Sequence, residues 1–215
     1  MNQIRHALYI NLDSRTDRRA HVESQLATVG IQGQRFPAIR NSNGALGCSM
    51  SHLKCLEIAK DNNWDHVLIV EDDITFLNPK LFVNQFSQFL EKHHVFDVVL
   101  LAGNNLPPYQ QIDNTCIKIY RCQTTTGYMV QKHYYDTLIR NYREGILKLL
   151  AEPEQHALYA IDKYWQRIQG LHNWYLITPP TVVQREDYSD IQKIRTNYVD
   201  AMQDLDKLYL FQQQR

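Results

Sequence analysis

The chain has 215 residues, 44% hydrophobic and 21% charged, which suits one packed α/β domain and argues against wholesale disorder. Its 23 basic and 23 acidic residues cancel, so the basic excess that a nucleic-acid partner usually demands is missing. No stretch approaches the roughly 20 apolar residues of a membrane span, and the apolar run at the N-terminus is too short for a signal peptide.

Residues 6–12 read as a short buried strand, with Asp13-Ser14 placed to cap a helix over 15–29 in which Val22, Leu26 and Val29 recur at helical spacing. Gly30 is a natural stop. A second strand is predicted over 34–39, followed by a polar loop over 41–47. A helix capped by Ser49 or Ser51 then carries Leu53, Leu56 and Ala59. Residues 67–70 are an unbroken β-branched and leucine run, as expected of an interior strand covered on both faces, and the run ends in Glu71-Asp72-Asp73. Pro79 opens a helix over 81–92 with Phe82, Phe86, Phe89 and Leu90 on one side, and residues 97–101 form a further apolar strand.

The second half is less regular. Strands are predicted over 115–120, 126–130 and 174–177, with helices over 134–150 and 161–168. Helical spacing at Leu205, Leu208 and Leu210 marks the tail. The strand–helix alternation predicts an α/β fold with a central mostly parallel sheet, its ligands at the C-terminal strand edge. A catalytic domain is expected over 1–190, with a tail over 191–215, helical or partly flexible. The four cysteines, Cys48, Cys55, Cys116 and Cys122, form no C-x-x-C pair and no zinc spacing. They read as reduced thiols of a cytoplasmic protein, with one disulfide between distant positions as the alternative.

The strongest chemical signal is the acidic triplet. On an extended chain Glu71 and Asp73 face one side and Asp72 the other. Three adjacent carboxylates repel, and none sits dry without a counter-cation. Oxygen ligands favour Mn²⁺ or Mg²⁺ over zinc. The triplet also suits a solvated turn, and its place at a strand end shifts the balance towards a ligand site. Three weaker signals accompany it. Ser51-His52 lies near a helix start, where capping is the plainer reading. Asn11, Arg15, Arg18 and Arg19 follow the first strand, at a usual nucleotide position. Asp162 stands beside Tyr164 and Trp165, as a helix cap or as a desolvated base.

Taken in order, the blocks Tyr9-Ile10-Asn11-Leu12-Asp13 with Arg15, Gly47-Cys48 with Ser51-His52, Leu68-Ile69-Val70-Glu71-Asp72-Asp73, Thr125-Thr126-Gly127-Tyr128, Ile161-Asp162, and Pro180, Gln184 with Ser189-Asp190-Ile191 span most of the chain. This arrangement resembles glycosyltransferase family 25, which includes lipooligosaccharide and procollagen galactosyltransferases. The resemblance implies a GT-A-like nucleotide-binding sandwich and an inverting hexosyltransferase. Such an enzyme moves galactose, or next glucose, from a UDP-sugar donor to a hydroxyl of a glycan or collagen-like protein acceptor. It further implies Asp73 as main metal ligand with Glu71, and Mn²⁺ as the ion with Mg²⁺ as substitute. Asn11, Arg15, Ser51, His52, Glu71, Asp72 and Gln184 are implied at the donor, and Asp162 as the catalytic base. A metal-dependent phosphohydrolase or nucleotidyltransferase, or a non-catalytic sugar-binding relative, would use the same features. The tail could serve as a homodimer helix or a lid.

Overall fold

The computed structural model describes residues 3–189 and 194–208, apart from the side chains of Tyr188 and Ser189. The sequence block at residues 189–191 therefore falls largely outside the described residues.

The elements run in chain order as β1 (Ala7–Asn11), α1 (Thr16–Thr28), β2 (Gln34–Pro37), α2 (Gly44–Asp61), β3 (His66–Glu71), β4 (Ile74–Phe76) and α3 (Pro79–Lys92). The next are β5 (Val98–Leu100), β6 (Asn104–Asn105), β7 (Tyr109–Gln111), β8 (Cys116–Ile119), β9 (Cys122–Gln123), β10 (Gly127–Gln131) and α4 (Tyr135–Ala151). The short helices α5 (His156–Tyr159), α6 (Ile161–Tyr164) and α7 (Gln166–Gln169) precede β11 (Trp174–Ile177) and β12 (Val182–Gln184). The chain closes with β13 (Asp187–Ser189), β14 (Ile194–Thr196) and α8 (Val199–Gln203).

Eight strands form the central sheet in the order β2-β1-β3-β10-β5-β11-β8-β7. β2, β1, β3, β5, β11 and β7 run one way, and β10 and β8 run against them. This is the predicted α/β class with a mostly parallel sheet. The unbroken apolar run of β3 has the expected cause, because successive side chains enter opposite cores. Leu68 and Val70 pack with Val22 and Leu26 of α1 and the Phe82-Phe86-Phe89 face of α3. Val67 and Ile69 pack on the other side with Leu56 of α2, Leu138 and Tyr142 of α4, and Trp165 and Trp174. Both layers are dry, so truncating any of the three phenylalanines costs about 3–5 kcal/mol.

Three local expectations are corrected. Helix α1 is not capped by Asp13 or Ser14: its N-cap is Arg15, with no side-chain cap bond, and Asp13 pairs instead with Arg35 at 2.6 Å. Helix α2 starts at Gly44, where the Asn43 side chain accepts from the Leu46 amide. Ser49 and Ser51 lie inside this helix and donate to the carbonyls of Ala45 and Gly47. An asparagine, not a serine, ends up as the cap because the polar loop closes about two turns earlier. The helix over 161–168 is split into α6 and α7 at Trp165, whose indole N–H is drawn into the core to the Cys122 carbonyl at 2.9 Å. Near the C-terminus, Leu205 and Leu208 lie beyond the only helix described there, α8, Leu210 lies outside the described residues, and Met202 of α8 packs in the core.

Gly47 is dictated by contact. A Cβ there would stand 2.6 Å from the Ile39 carbonyl oxygen and 3.3 Å from Asn41. The loop over 39–41 lies directly on α2 for that reason, and the Ser51 hydroxyl, which accepts from the Ile39 amide at 2.8 Å, fastens it. Gly47→Ala is expected to destabilise the protein by about 1–3 kcal/mol, visible as a lowered melting temperature in calorimetry.

Candidate active site

One cavity of about 350 Å³ opens at the C-terminal ends of β1 and β3, the edge at which open α/β sheets bind ligands. Glu71, Asp72 and Asp73 all line it. The predicted alternation of their side chains fails. β3 ends at Glu71, and residues 72 and 73 form a turn before β4, so the extended geometry that would send Asp72 to the far side is gone.

Each carboxylate has its own setting. Glu71 is held by three donors on one oxygen: Thr125 Oγ1 at 2.8 Å, His52 Nε2 at 3.1 Å and Cys48 Sγ at 3.5 Å. Tyr142 donates to the Tyr128 hydroxyl, and Tyr128 lies 2.8 Å from His52 Nδ1. That order sends the Tyr128 proton to Nδ1 and leaves the Nε2–H to face Glu71. Burial pushes Glu71 up, but the bonds from His52, Thr125 and Cys48 outweigh it and hold it below its usual value. Asp72 accepts from Asn11 Nδ2 at 2.7 Å and Arg18 Nη1 at 3.2 Å, and burial still leaves it raised.

Asp73 is the least satisfied of the three. It is 4% exposed. Its Oδ2 accepts from Gln184 Nε2 at 2.9 Å and lies 3.5 Å from Arg18 Nη1. Its Oδ1 is buried with no hydrogen-bond partner among the described residues. Burial, followed by the neighbouring Glu71 charge, pushes it up to about 7. A buried carboxylate oxygen with nothing to accept from is the feature a hard cation would satisfy.

Arg15, Arg18, Arg40 and Arg185 line the same cavity. Arg18 reaches Asp72, Asp73 and Asp187, while Arg15 and Arg185 also pair with Asp187. Arg19 points elsewhere and pairs with Glu23 on the surface. Four guanidinium groups and four carboxylates, Asp187 among them, therefore line one cavity, a mixed-charge setting in which forked donors can take an anionic group while the acids take a cation.

The structure brings the expected donor-side residues Asn11, Arg15, Ser51, His52, Glu71, Asp72, Asp73 and Gln184 to one cavity. Like the acids, His52, Arg15 and Gln184, the remaining two are engaged by the fold. Asn11 spends its amide on Asp72, the Arg15 carbonyl and Arg35, and the Ser51 hydroxyl serves Gly47 and Ile39. Asp162 is not among the lining residues. It sits in the first turn of α6, which is capped by Ala160, and accepts from the Thr124 amide at 3.1 Å. Thr124 adopts a left-handed φ of 73°. Burial raises Asp162, Lys163 and the Thr124 amide oppose that rise, and the Glu71 charge adds to it. The carboxylate is therefore within electrostatic reach of the Glu71 end of the cavity.

Sequence reading missed Asp187, Arg185 and Arg35 as parts of this site, and singled out Thr125 in a family block without giving it the role it has against Glu71. Asp187 meets Arg15 across 172 positions, and nothing local announces that. The charged run Arg185-Glu186-Asp187 directly after an apolar strand is the one available cue.

Residues 40–163 match the profile of glycosyltransferase family 25 (LPS biosynthesis protein), and the chain belongs to that family. That family is one of glycosyltransferases. No curated protein sequence matches it. Among solved structures it is similar to a glycosyltransferase involved in the glycosylation of the major capsid of PBCV-1, at 13% identity over 93% of this chain and 88% of that one, with a TM-score of 0.48. A Drosophila β1,4-galactosyltransferase 7 mutant in complex with manganese, UDP-Gal and xylobiose is 13% identical over 98% of this chain and 79% of that one, TM-score 0.40. Mannose-1-phosphate geranyltransferase from Thermus thermophilus is 12% identical over 79% and 58%, TM-score 0.42. No helix among the described residues is long and apolar enough to cross a membrane.

Proposed function

We propose that the protein is an inverting, metal-dependent hexosyltransferase that takes a UDP-sugar, galactose first and glucose next, and passes the sugar to an acceptor hydroxyl on a glycan or a collagen-like protein. The observation that carries this reading is the partnerless Oδ1 of Asp73, buried just past the end of β3 in a cavity that four arginines also line.

In this reading Asp73 and Glu71 hold Mn²⁺, or Mg²⁺ in its place. When bound, the ion supplies charge neutralisation for the departing diphosphate. Arg15 and Arg18 bind the diphosphate oxygens with forked donors, and Gln184 keeps Asp73 oriented through its amide. The His52 ring, fixed by Tyr128, holds Glu71 in a single orientation. Asp162 takes the acceptor proton, and the acceptor oxygen attacks the anomeric carbon in one displacement, which inverts it.

A second cavity, of about 520 Å³, is lined by Arg121, Gln123, Tyr159, Lys163 and Arg167 among others. We assign the acceptor to it: Asp162 is not itself in its lining, but Lys163, the next residue, and Gln123, beside the Thr124 whose amide Asp162 accepts from, both are. Arg167→Ala is expected to raise the acceptor KM roughly tenfold with kcat nearly unchanged, as loss of ground-state binding does.

The deciding experiment is a screen of UDP-, GDP- and CMP-sugars with Mn²⁺, scoring nucleotide release with and without saccharide and collagen-like peptide acceptors. UDP release coupled to a glycosylated product supports the reading. Free phosphate or pyrophosphate as product would replace it with a phosphohydrolase or nucleotidyltransferase, and binding without turnover with a sugar-binding relative.

A further inference from the structure

We propose that His93, Asp113 and Cys116 form a second metal site, one that takes a tetrahedral zinc ion with water as its fourth ligand. It shares no residue with the donor cavity and stands by the opposite edge of the sheet, where β7 and β8 end the strand order. The three ligand atoms lie within 4.8 Å of one another.

The spacing fits the ion. His93 Nε2 is 2.9 Å from Asp113 Oδ2 and 3.8 Å from Cys116 Sγ. With Zn–S near 2.3 Å and Zn–N and Zn–O near 2.0 Å, tetrahedral angles separate nitrogen from sulfur by about 3.5 Å and nitrogen from oxygen by about 3.3 Å. The two His93 distances therefore need to change by only a few tenths of an ångström, and the third pair lies within 4.8 Å.

The surroundings already hold each ligand in position, as the outer contacts of metal sites do. Asp113 Oδ1 accepts from the Thr115 amide at 2.7 Å and its hydroxyl at 2.6 Å, which turns Oδ2 towards His93. The His93 ring stacks on Phe89 at 4.9 Å and on Tyr175 at 5.9 Å. Cys116 is fully buried. Nearby, Lys92 Nζ is engaged by Asn114 Oδ1.

Nitrogen, oxygen and sulfur together suit zinc and disfavour Mg²⁺ or Ca²⁺. On binding, the Cys116 thiol gives its proton to solvent. The thiolate and the Asp113 carboxylate then balance the two charges of the ion, with His93 neutral. The bound ion would fasten the C-terminal end of α3 to the turn between β7 and β8, a cross-link that reinforces an edge of the sheet.

The test is titration of the full-length, chelator-treated protein with Co²⁺, whose thiolate charge-transfer band and intense visible bands report a tetrahedral sulfur-ligated ion, alongside zinc stoichiometry by mass spectrometry. The Cys48–His52–Glu71 group also offers a sulfur, so Cys48→Ser is run in parallel. The wild type and Cys48→Ser are expected to show the bands at one equivalent, and Cys116→Ser to lose the charge-transfer band. His93→Gln should weaken binding at least tenfold. His93 is partly exposed, so this variant decides the matter if Cys116→Ser fails to fold. Absence of the bands in the wild type, their survival in Cys116→Ser, or unchanged affinity in His93→Gln would overturn the proposal. None of these outcomes depends on glycosyl transfer.

Discussion

Asp73→Asn is expected to raise the melting temperature of the metal-free protein and, in the same step, to remove Mn²⁺-dependent UDP binding. Both effects come from one atom. Asp73 is 4% exposed and its Oδ1 has no partner, so ionising it without a cation works against the fold. An asparagine keeps the shape without the charge. For a chain of this length each kcal/mol recovered corresponds to roughly 2–4 °C. The cost falls on function: Mn²⁺-dependent UDP affinity should drop by about 100-fold or more, close to 3 kcal/mol. Differential scanning calorimetry and isothermal titration, run on the same sample, check the two halves. Unchanged Mn²⁺–UDP affinity would remove Asp73 from the metal site. A lowered melting temperature would mean that Arg18, 3.5 Å away, already neutralises the carboxylate.

Asp162→Asn should leave UDP binding within about twofold of wild type while transfer falls by roughly 10²–10⁴-fold, the span that a general base contributes. The substitution keeps the side-chain oxygen that accepts from the Thr124 amide at 3.1 Å, so the left-handed turn at Thr124 keeps its anchor. Single-turnover kinetics separates the two readouts. Near-normal turnover would assign the base elsewhere. A loss of UDP binding would place Asp162 on the donor side, in conflict with its absence from the donor cavity lining.

How far the sequence could be read depended on whether the deciding force was local. The long apolar run of β3 and the phenylalanine face of α3 are periodic, and both were legible because periodicity follows from what the element buries. The ends of helices were not. The Asn43 cap won over Ser49 because the loop over 39–41 packs on Gly47, a contact eight residues upstream of the glycine and invisible to a cap rule. At the site, the acidic triplet was visible because it interrupts an apolar strand, and Gln184 because the family pattern places a polar residue there. Asp187 and Arg35 were hidden, since each acts on residues many positions away. The same reason concealed the His93–Asp113–Cys116 group: Asp113 and Cys116 are three positions apart, but His93 joins them from 20 positions upstream, once α3 meets the β7–β8 turn.

The engagement of the Asn11 amide by its neighbours has a consequence for inheritance. Its nitrogen reaches Asp72 and its oxygen receives Arg35, so one buried side chain joins the ends of β1, β2 and β3. Losing any one of these three side chains leaves a buried polar group without its partner, at about 1–3 kcal/mol. Selection therefore sees them as a set. In descendants of this chain, a change at position 11, 35 or 72 is tolerable only alongside its counterparts, whereas a rim arginine such as Arg40 can change independently and tune the site towards a different donor.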